Sequence, residues 1–168
     1  QGAKMAGARV VAAIDPVEFK REMAMNFGAT HSYSSIAEAT ADLSGATWDR
    51  GYDKVIMAMG TGDGDVLGEA FWMAGKGSRI VVTNIHPASE GSMAIPGLFR
   101  SAFEKEVVGS WFGSANMRRD IPRLMELYLQ GQLNLDDLIT RTYTLDQINE
   151  GYDAMRKAEN IRGVIIFD

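Results

Sequence analysis

Residues 8–15 read ARVVAAID, and this stretch decides the fold. Val11 and Ile14 give it the β-branched side chains of a buried strand. The run ends on the carboxylate of Asp15, and Pro16 then suits the first turn of a helix. A buried strand that leads into a helix is typical of a parallel sheet, where ligands bind beyond the carboxyl ends of the strands. Asp15 is therefore the first candidate functional residue.

The composition excludes several classes of protein. The 168 residues, 46% of them hydrophobic, are enough for one domain with a sizeable core. The net charge of −5 argues against a nucleic-acid partner, and the 17 scattered Lys and Arg residues offer no polybasic membrane surface. The first residues, QGAKMAGA, lack the apolar core of a secretory signal, and there are no cysteines. We expect a cytoplasmic protein without disulfides or thiolate metal sites.

Strand-like and helix-like segments alternate along the chain. The helical segment 144–159 carries a capping box, with Thr144 followed three residues later by Gln147. The segment 86–104 is the least regular and is a candidate for an extra edge element. The alternation predicts an α/β fold, a doubly wound parallel sheet of the Rossmann type. The predicted strands are 9–15, 29–34, 52–60, 78–85, 106–113 and 162–168, and the predicted helices are 17–28, 35–43, 65–75, 117–133 and 144–159.

Two interpretations of Asp15 are equally consistent with its immediate neighbours. It caps the helix that follows, or it accepts hydrogen bonds from the adenosine ribose of a dinucleotide, which favours NAD over NADP. The ribose acid lies roughly 20 residues beyond a glycine-rich turn in such folds. Only 14 residues precede Asp15, so we expect the first strand and that turn to lie before Gln1. The glycines of GTGDGD, residues 60–65, follow a later strand and are interpreted as a loop.

Several motifs then resemble the medium-chain dehydrogenase/reductase family, in its zinc-dependent alcohol dehydrogenase branch. They are FGATH (27–31), GYDKVIMAMG (51–60), GKGSRIVVTNI (75–85), VVGSWFGS (107–114) and the C-terminal LITRTYTLDQINEGYDAMRKAENIRGVIIF (138–167). Each is weak alone, but their order and spacing extend over nearly the whole chain. The segments SYSSIAEA and NIHPASEG further resemble the NDMA-dependent branch, whose NAD stays tightly bound.

The resemblance implies a set of cofactor-binding residues. Asp15 and Lys20 correspond to the residues at the ribose, and Arg162 to an arginine at the pyrophosphate. Taken singly, a lysine such as Lys20 is more often a solvated helix residue and an apolar strand residue such as Val82 is more often core, while Arg162 is equally a surface ion-pair residue. The remaining positions follow strands and correspond to the adenine pocket (Ala58, Met59, Thr61), the surroundings of the nicotinamide (Val82, Asn84) and the backbone that holds its carboxamide (Ser110, Phe112).

The departures from the family bear on the function. Without cysteine, and with only His31 and His86, the chain cannot assemble the family's zinc sites. His31 is expected to be structural, and His86 either structural or facing the cleft. The resemblance therefore implies that residues 1–168 are a partial NAD-binding domain, inactive alone and with no catalytic or metal residue. The catalytic zinc domain would lie outside this chain.

The intact protein would be an NAD- and zinc-dependent oxidoreductase acting on an alcohol or aldehyde. It would also self-associate through the segment 91–96. Two alternatives stay open. One is a zinc-independent quinone or enoyl reductase, against which Asp15 counts because those enzymes often bind NADP. The other is a non-enzymatic nucleotide-binding module.

Overall fold

The computed structural model describes residues 1–62, 64–89 and 92–167. Strands and helices alternate along it, as the sequence predicts. The strands are β1 (Ala12–Ile14), β2 (His31–Tyr33), β3 (Tyr52–Met57), β4 (Ala74–Val82), β5 (Glu106–Gly109), β6 (Ile139–Tyr143) and β7 (Arg162–Ile165). The helices are α1 (Gly2–Met5), α2 (Glu18–Asn26), α3 (Ile36–Ala41), α4 (Leu43–Thr47), α5 (Gly64–Met73), α6 (Gly97–Ala102), α7 (Met117–Leu129) and α8 (Ile148–Arg156).

Several elements differ from the prediction. β6 was not predicted as a separate strand, and the single helix expected over 35–43 is two short helices, α3 and α4. Within the irregular segment 86–104 the described residues form helix α6, and an isolated bridge at Ile85 precedes it, in place of an edge strand. Residues 92–96, which we expected to form a pairing edge, carry no regular structure, and Gly91 lies outside the described residues.

The chain divides into two compact units. The first comprises residues 1–32 and 117–168, and the second comprises residues 33–116. In the first unit β1 and β2 form one two-stranded sheet, while β6 and β7 form another and run parallel. The predicted capping box is confirmed, since Thr144 and Gln147 bond reciprocally, although a single 3₁₀ turn precedes α8 there.

The second unit contains a three-stranded parallel sheet in the order β3–β4–β5. Its core is built where α5 packs on this sheet, with Leu67, Phe71 and Ile80 fully buried. The register pairs Met57 with Val82 and Val82 with Gly109. The three strands therefore end in one row, and the segments that follow them emerge side by side. None of the described helices is long and apolar enough to cross a membrane.

Two glycines bring the amino ends of β3 and β4 into close contact. Gly51 has φ +76°, and a Cβ built on it would lie 2.6 Å from the Gly75 nitrogen. A Cβ on Gly75 would overlap the carbonyl oxygen of Arg50. The pairing of β3 with β4 shifts between Tyr52 and Lys54, next to this contact. The absence of side chains at both positions allows the backbones to approach and sets the register of the sheet.

A buried lysine supports the end of α5. Lys105 is only 3% exposed, and its Nζ donates to the Phe71 carbonyl oxygen at 2.6 Å and lies 4.9 Å from the centre of the Phe71 ring. Among the described residues no carboxylate pairs with it. Burial lowers the pKa of Lys105 below its ordinary 10.5.

This burial predicts a pH dependence of stability. Between the lowered pKa of Lys105 and 10.5, the unfolded chain binds more protons at this lysine than the folded chain does. The free energy of unfolding should therefore rise with pH in that window, relative to a Lys105→Met variant. Urea unfolding at a series of pH values measures it, with the exposed lysine variant Lys54→Met as control. Parallel curves for the protein and Lys105→Met would refute the prediction.

Candidate functional site

Asp15 directly follows β1, and its two carboxylate oxygens differ in their contacts. Oδ1 accepts the backbone N–H of Val17 at 2.9 Å. Oδ2 has no hydrogen bond within the described residues. The N-cap of α2 is Val17, which makes no side-chain capping bond. Asp15 therefore closes the turn before the helix rather than capping the helix, and one oxygen stays available as an acceptor.

Two cations of the first unit lie near this part of the fold. Lys20 is half-buried in the first turn of α2. It lines a pocket of about 340 Å³ together with Ala13 of β1 and Ile161, the residue before Arg162. Arg162 is exposed at the start of β7 and forms no ion pair with any described residue. The fold thus brings Lys20 close to the beginning of β7, and neither cation is neutralised by a described carboxylate.

The predicted residues of the second unit follow the row in which its strands end. Ala58, Met59 and Thr61 come after β3, and all three are exposed. Asn84 comes two residues after β4. The parallel bridge between Thr61 and Ile85 extends this contact beyond the regular sheet. Parallel strands place such segments at one edge, where ligands of open α/β sheets bind.

The segment after β5 has an unusual backbone. The Ser110 N–H donates to the Val82 carbonyl oxygen at 2.9 Å, so the two strand ends stay joined beyond Gly109. Phe112, Gly113 and Ser114 then adopt φ of +47°, +69° and +53°. Left-handed conformations are costly for residues other than glycine and concentrate at functional sites. Phe112 is 73% exposed, so its ring contributes little burial to offset that cost.

Asn84 and His86 form a polar pair at the end of β4. Asn84 Nδ2 and His86 Nε2 are 3.0 Å apart, while the buried Asn84 Oδ1 has no hydrogen-bond partner among the residues that the structure describes. The pair packs on the backbone of Gly62, where a Cβ would overlap both side chains. A buried acceptor without a partner is costly, typically about 1–3 kcal/mol. The sequence did not predict this arrangement, since a Gly in a turn-rich loop carries no signal for it.

His31 belongs to β2 and is distant in sequence from the strand-end residues of the second unit. Its Nδ1 is 2.8 Å from the Thr30 hydroxyl oxygen. Within residues 1–62, 64–89 and 92–167, no group of three His, Asp or Glu side chains could hold a metal ion. Within the described residues, the first unit offers a carboxylate oxygen without a hydrogen bond and two cations without an ion pair, and the second unit offers polar groups at its strand ends.

Comparison with known proteins identifies relatives over the whole chain. A family model described as zinc-binding dehydrogenase matches residues 1–130. The NDMA-dependent alcohol dehydrogenase of Amycolatopsis methanolica is 43% identical, covering 99% of this chain and 45% of that protein. Alcohol dehydrogenase B of Mycobacterium tuberculosis is 40% identical, covering 98% and 44%.

A solved structure supports the same relationship. Benzyl alcohol dehydrogenase from Acinetobacter calcoaceticus superposes with a TM-score of 0.88 at 27% identity, covering 99% of this chain and 45% of that one. The α/β fold of Rossmann type predicted from the sequence is thereby confirmed. The chain spans about 45% of the length of the relatives it matches. With a family model matching most of its residues, the chain belongs to the zinc-binding dehydrogenase family.

Proposed function

We propose that this chain is the NAD-binding portion of an alcohol dehydrogenase. One observation carries the proposal: Asp15 follows the half-buried strand β1, and its carboxylate has one oxygen fixed by the Val17 N–H at 2.9 Å and one without a hydrogen bond among the described residues. A fixed carboxylate at this place accepts ribose hydroxyls and repels a 2′-phosphate. NAD, rather than NADP, is therefore the proposed cofactor. Family membership and relatives named as alcohol dehydrogenases support the reaction class.

Within the first unit, Asp15 and Lys20 would contact the ribose, and Arg162 the pyrophosphate. The planar guanidinium of Arg162 suits two phosphate oxygens, and no described carboxylate competes for it. Lys20 and Ile161 line one pocket, which is compatible with a ligand shared by α2 and the start of β7 in this unit.

Within the second unit, the residues at the row of strand ends are assigned from the resemblance to the family. We assign the adenine surroundings to Ala58, Met59 and Thr61. The nicotinamide surroundings are assigned to Val82, Asn84, Ser110 and Phe112. The left-handed backbone at Phe112 and the Asn84 Oδ1, which has no partner among the described residues, support a role in binding, because such costly features concentrate at functional sites. Bound NAD would supply the acceptor for a hydride taken from the alcohol carbon.

Zinc, if the intact protein uses it, would polarise the alcohol or carbonyl oxygen as a Lewis acid. The cysteine-free sequence supplies no thiolate for it. We propose that its ligands come from a part of the intact protein outside this chain. The same part would hold most of the alcohol or aldehyde pocket, and a cytoplasmic location stays a prediction.

The proposal is tested with the intact protein. Its denatured extract is analysed for nucleotide by mass spectrometry, and turnover of primary alcohols is followed with free NAD, with NADP and with NDMA as acceptor. Alcohol oxidation with NAD, or with bound NAD and NDMA, supports the proposal. Reduction of quinones or enoyl compounds with NADPH instead would favour the zinc-independent reductase. Tight NAD binding without any turnover would favour a nucleotide-binding module.

Self-association is a further prediction. In the segment 92–96, Met93 is 43% exposed and Ile95 is 38% exposed, and no described residue pairs with this backbone in a sheet. Sedimentation velocity should show a dimer or larger species, and Ile95→Lys should shift it toward monomer. Leu145→Lys, at an exposed leucine elsewhere, is the matched control. A monomer at the highest concentration reached would contradict the prediction.

A further inference from the structure

Arg21 reaches back from α2 to the turn that carries Asp15. Its Nη1 donates to the Asp15 carbonyl oxygen at 2.8 Å and to the Pro16 carbonyl oxygen at 3.0 Å. The side chain is half-buried, and its other N–H groups make no bond within the described residues. Both hydrogens of one guanidinium nitrogen are thus used to hold two consecutive backbone carbonyls.

The turn has few other means of support. Pro16 has no backbone N–H, and it restricts Asp15 to an extended backbone. The Asp15 carboxylate contributes one bond, to the Val17 N–H at 2.9 Å. Among the described residues, the other two side-chain hydrogen bonds to this turn both come from Arg21, while the backbone N–H groups of Lys20 and Arg21 bond to the Val17 carbonyl oxygen. Its guanidinium fixes the backbone from which the Asp15 side chain extends, and together with the Val17 bond it sets where Oδ2 points.

Helix electrostatics do not account for a cation at this position. Arg21 lies in the first turn and a half of α2, directly after Lys20. The amino end of a helix carries partial positive charge, so cations there are disfavoured. Arg21 also forms no ion pair with a described carboxylate. The hydrogen bonds to the Asp15 and Pro16 carbonyl oxygens are therefore the interactions that account for an arginine at position 21.

We propose that Arg21 is a positioning residue, which holds the Asp15 turn so that the carboxylate is preset for the ribose hydroxyls. The proposal rests on the proposed function, in which Asp15 binds the ribose. Within the described residues, the Arg21 side chain hydrogen-bonds only to backbone carbonyl oxygens, so it would act on the cofactor through Asp15. Without the Arg21 side chain, both carbonyl oxygens would bond to water, and the Asp15 carboxylate would adopt more orientations. Part of the free energy of NAD binding would then be needed to order the carboxylate again.

The test is a double-mutant cycle on the intact protein, with NAD affinity measured by calorimetry. Two hydrogen bonds are removed in Arg21→Met, so we expect about a tenfold loss of NAD affinity in that variant. Arg21→Lys keeps the charge and an ammonium able to donate to both carbonyls, and it should restore most of the affinity. In an Asp15→Asn background the Arg21→Met change should have little further effect, because the residue it positions has already lost its charge.

Several results would overturn the proposal. An equal loss from Arg21→Met in both backgrounds would mean that Arg21 acts by its own charge or by general stability. Unchanged affinity in Arg21→Met, while Asp15→Asn weakens binding, would refute positioning but leave the proposed function standing. No effect of Asp15→Asn would refute both. Far-UV circular dichroism checks folding, and Arg21→Gln, whose uncharged amide NH₂ is on a shorter side chain, replaces Arg21→Met if that variant does not fold.

Discussion

Asparagine in place of Asp15 is expected to weaken NAD binding by about 100-fold, which corresponds to one or two charge-assisted hydrogen bonds. The substitution preserves shape, and the amide oxygen can still accept the Val17 N–H that now bonds to Oδ1 at 2.9 Å. What is lost is the charged acceptor at Oδ2. The same change removes the repulsion of a 2′-phosphate, so NADP affinity should rise and the preference for NAD should collapse.

Calorimetric titration of NAD and NADP into the intact protein and the variant measures both effects. Asp53→Asn is the matched control, because Asp53 is exposed near the amino end of β3 and its loss changes net charge equally. The control should bind both cofactors as the unmodified protein does. An equal drop in the two variants, or none in Asp15→Asn, would show that Asp15 does not contact the ribose.

Alanine at Gly75 is expected to cost at least about 3 kcal/mol of unfolding free energy, since buried overpacking against backbone is poorly relieved. The new Cβ would overlap the Arg50 carbonyl oxygen and lie 3.3 Å from the Gly51 carbonyl oxygen. Neither atom belongs to a flexible side chain that could move aside. The strain would separate the amino ends of β3 and β4, whose pairing aligns Met57 with Val82 in the row of strand ends.

Gly109→Ala in β5 is the control for this prediction. Gly109 is also a strand glycine, but a Cβ added to it would meet no heavy atom within 4 Å, and its φ is not positive. That variant should stay within about 0.5 kcal/mol of the unmodified protein. Urea unfolding of the three proteins measures the difference. If Gly75→Ala loses no more stability than Gly109→Ala, the close approach of the two backbones does not set the sheet.

The strands were predictable because their apolar, β-branched runs are short and bounded by turn residues. The residues at which the strands begin and end were harder to predict. The fifth strand was expected over 106–113, but it stops at Gly109 because Phe112 to Ser114 turn left-handed, which no local pattern signals. β4 begins at Ala74, earlier than expected, because the small residues after α5 let the backbone pair at once. β6 (Ile139–Tyr143) lies inside the C-terminal motif 138–167, for which no separate strand was predicted at its start.

The candidate site was predictable only where it depends on strand ends. Asp15, Asn84 and Ser110 all follow strands, and a parallel sheet must gather such positions at one edge of each sheet. The two hydrogen bonds from Arg21 to backbone carbonyls were not predictable, because the sequence does not show which of two neighbouring helix cations, Lys20 or Arg21, would form them. The contact of Gly62 with Asn84 and His86 depends on loop geometry that sequence spacing does not encode.

The most direct test of the central claim is a crystal structure of the intact protein with NAD bound. We expect the adenosine ribose hydroxyls to lie within hydrogen-bond distance, about 2.5–3.0 Å, of the Asp15 carboxylate oxygens. The Val17 N–H should still bond to Oδ1 there, as it does now at 2.9 Å. A dinucleotide whose ribose lies away from Asp15 would contradict the proposed role of this carboxylate.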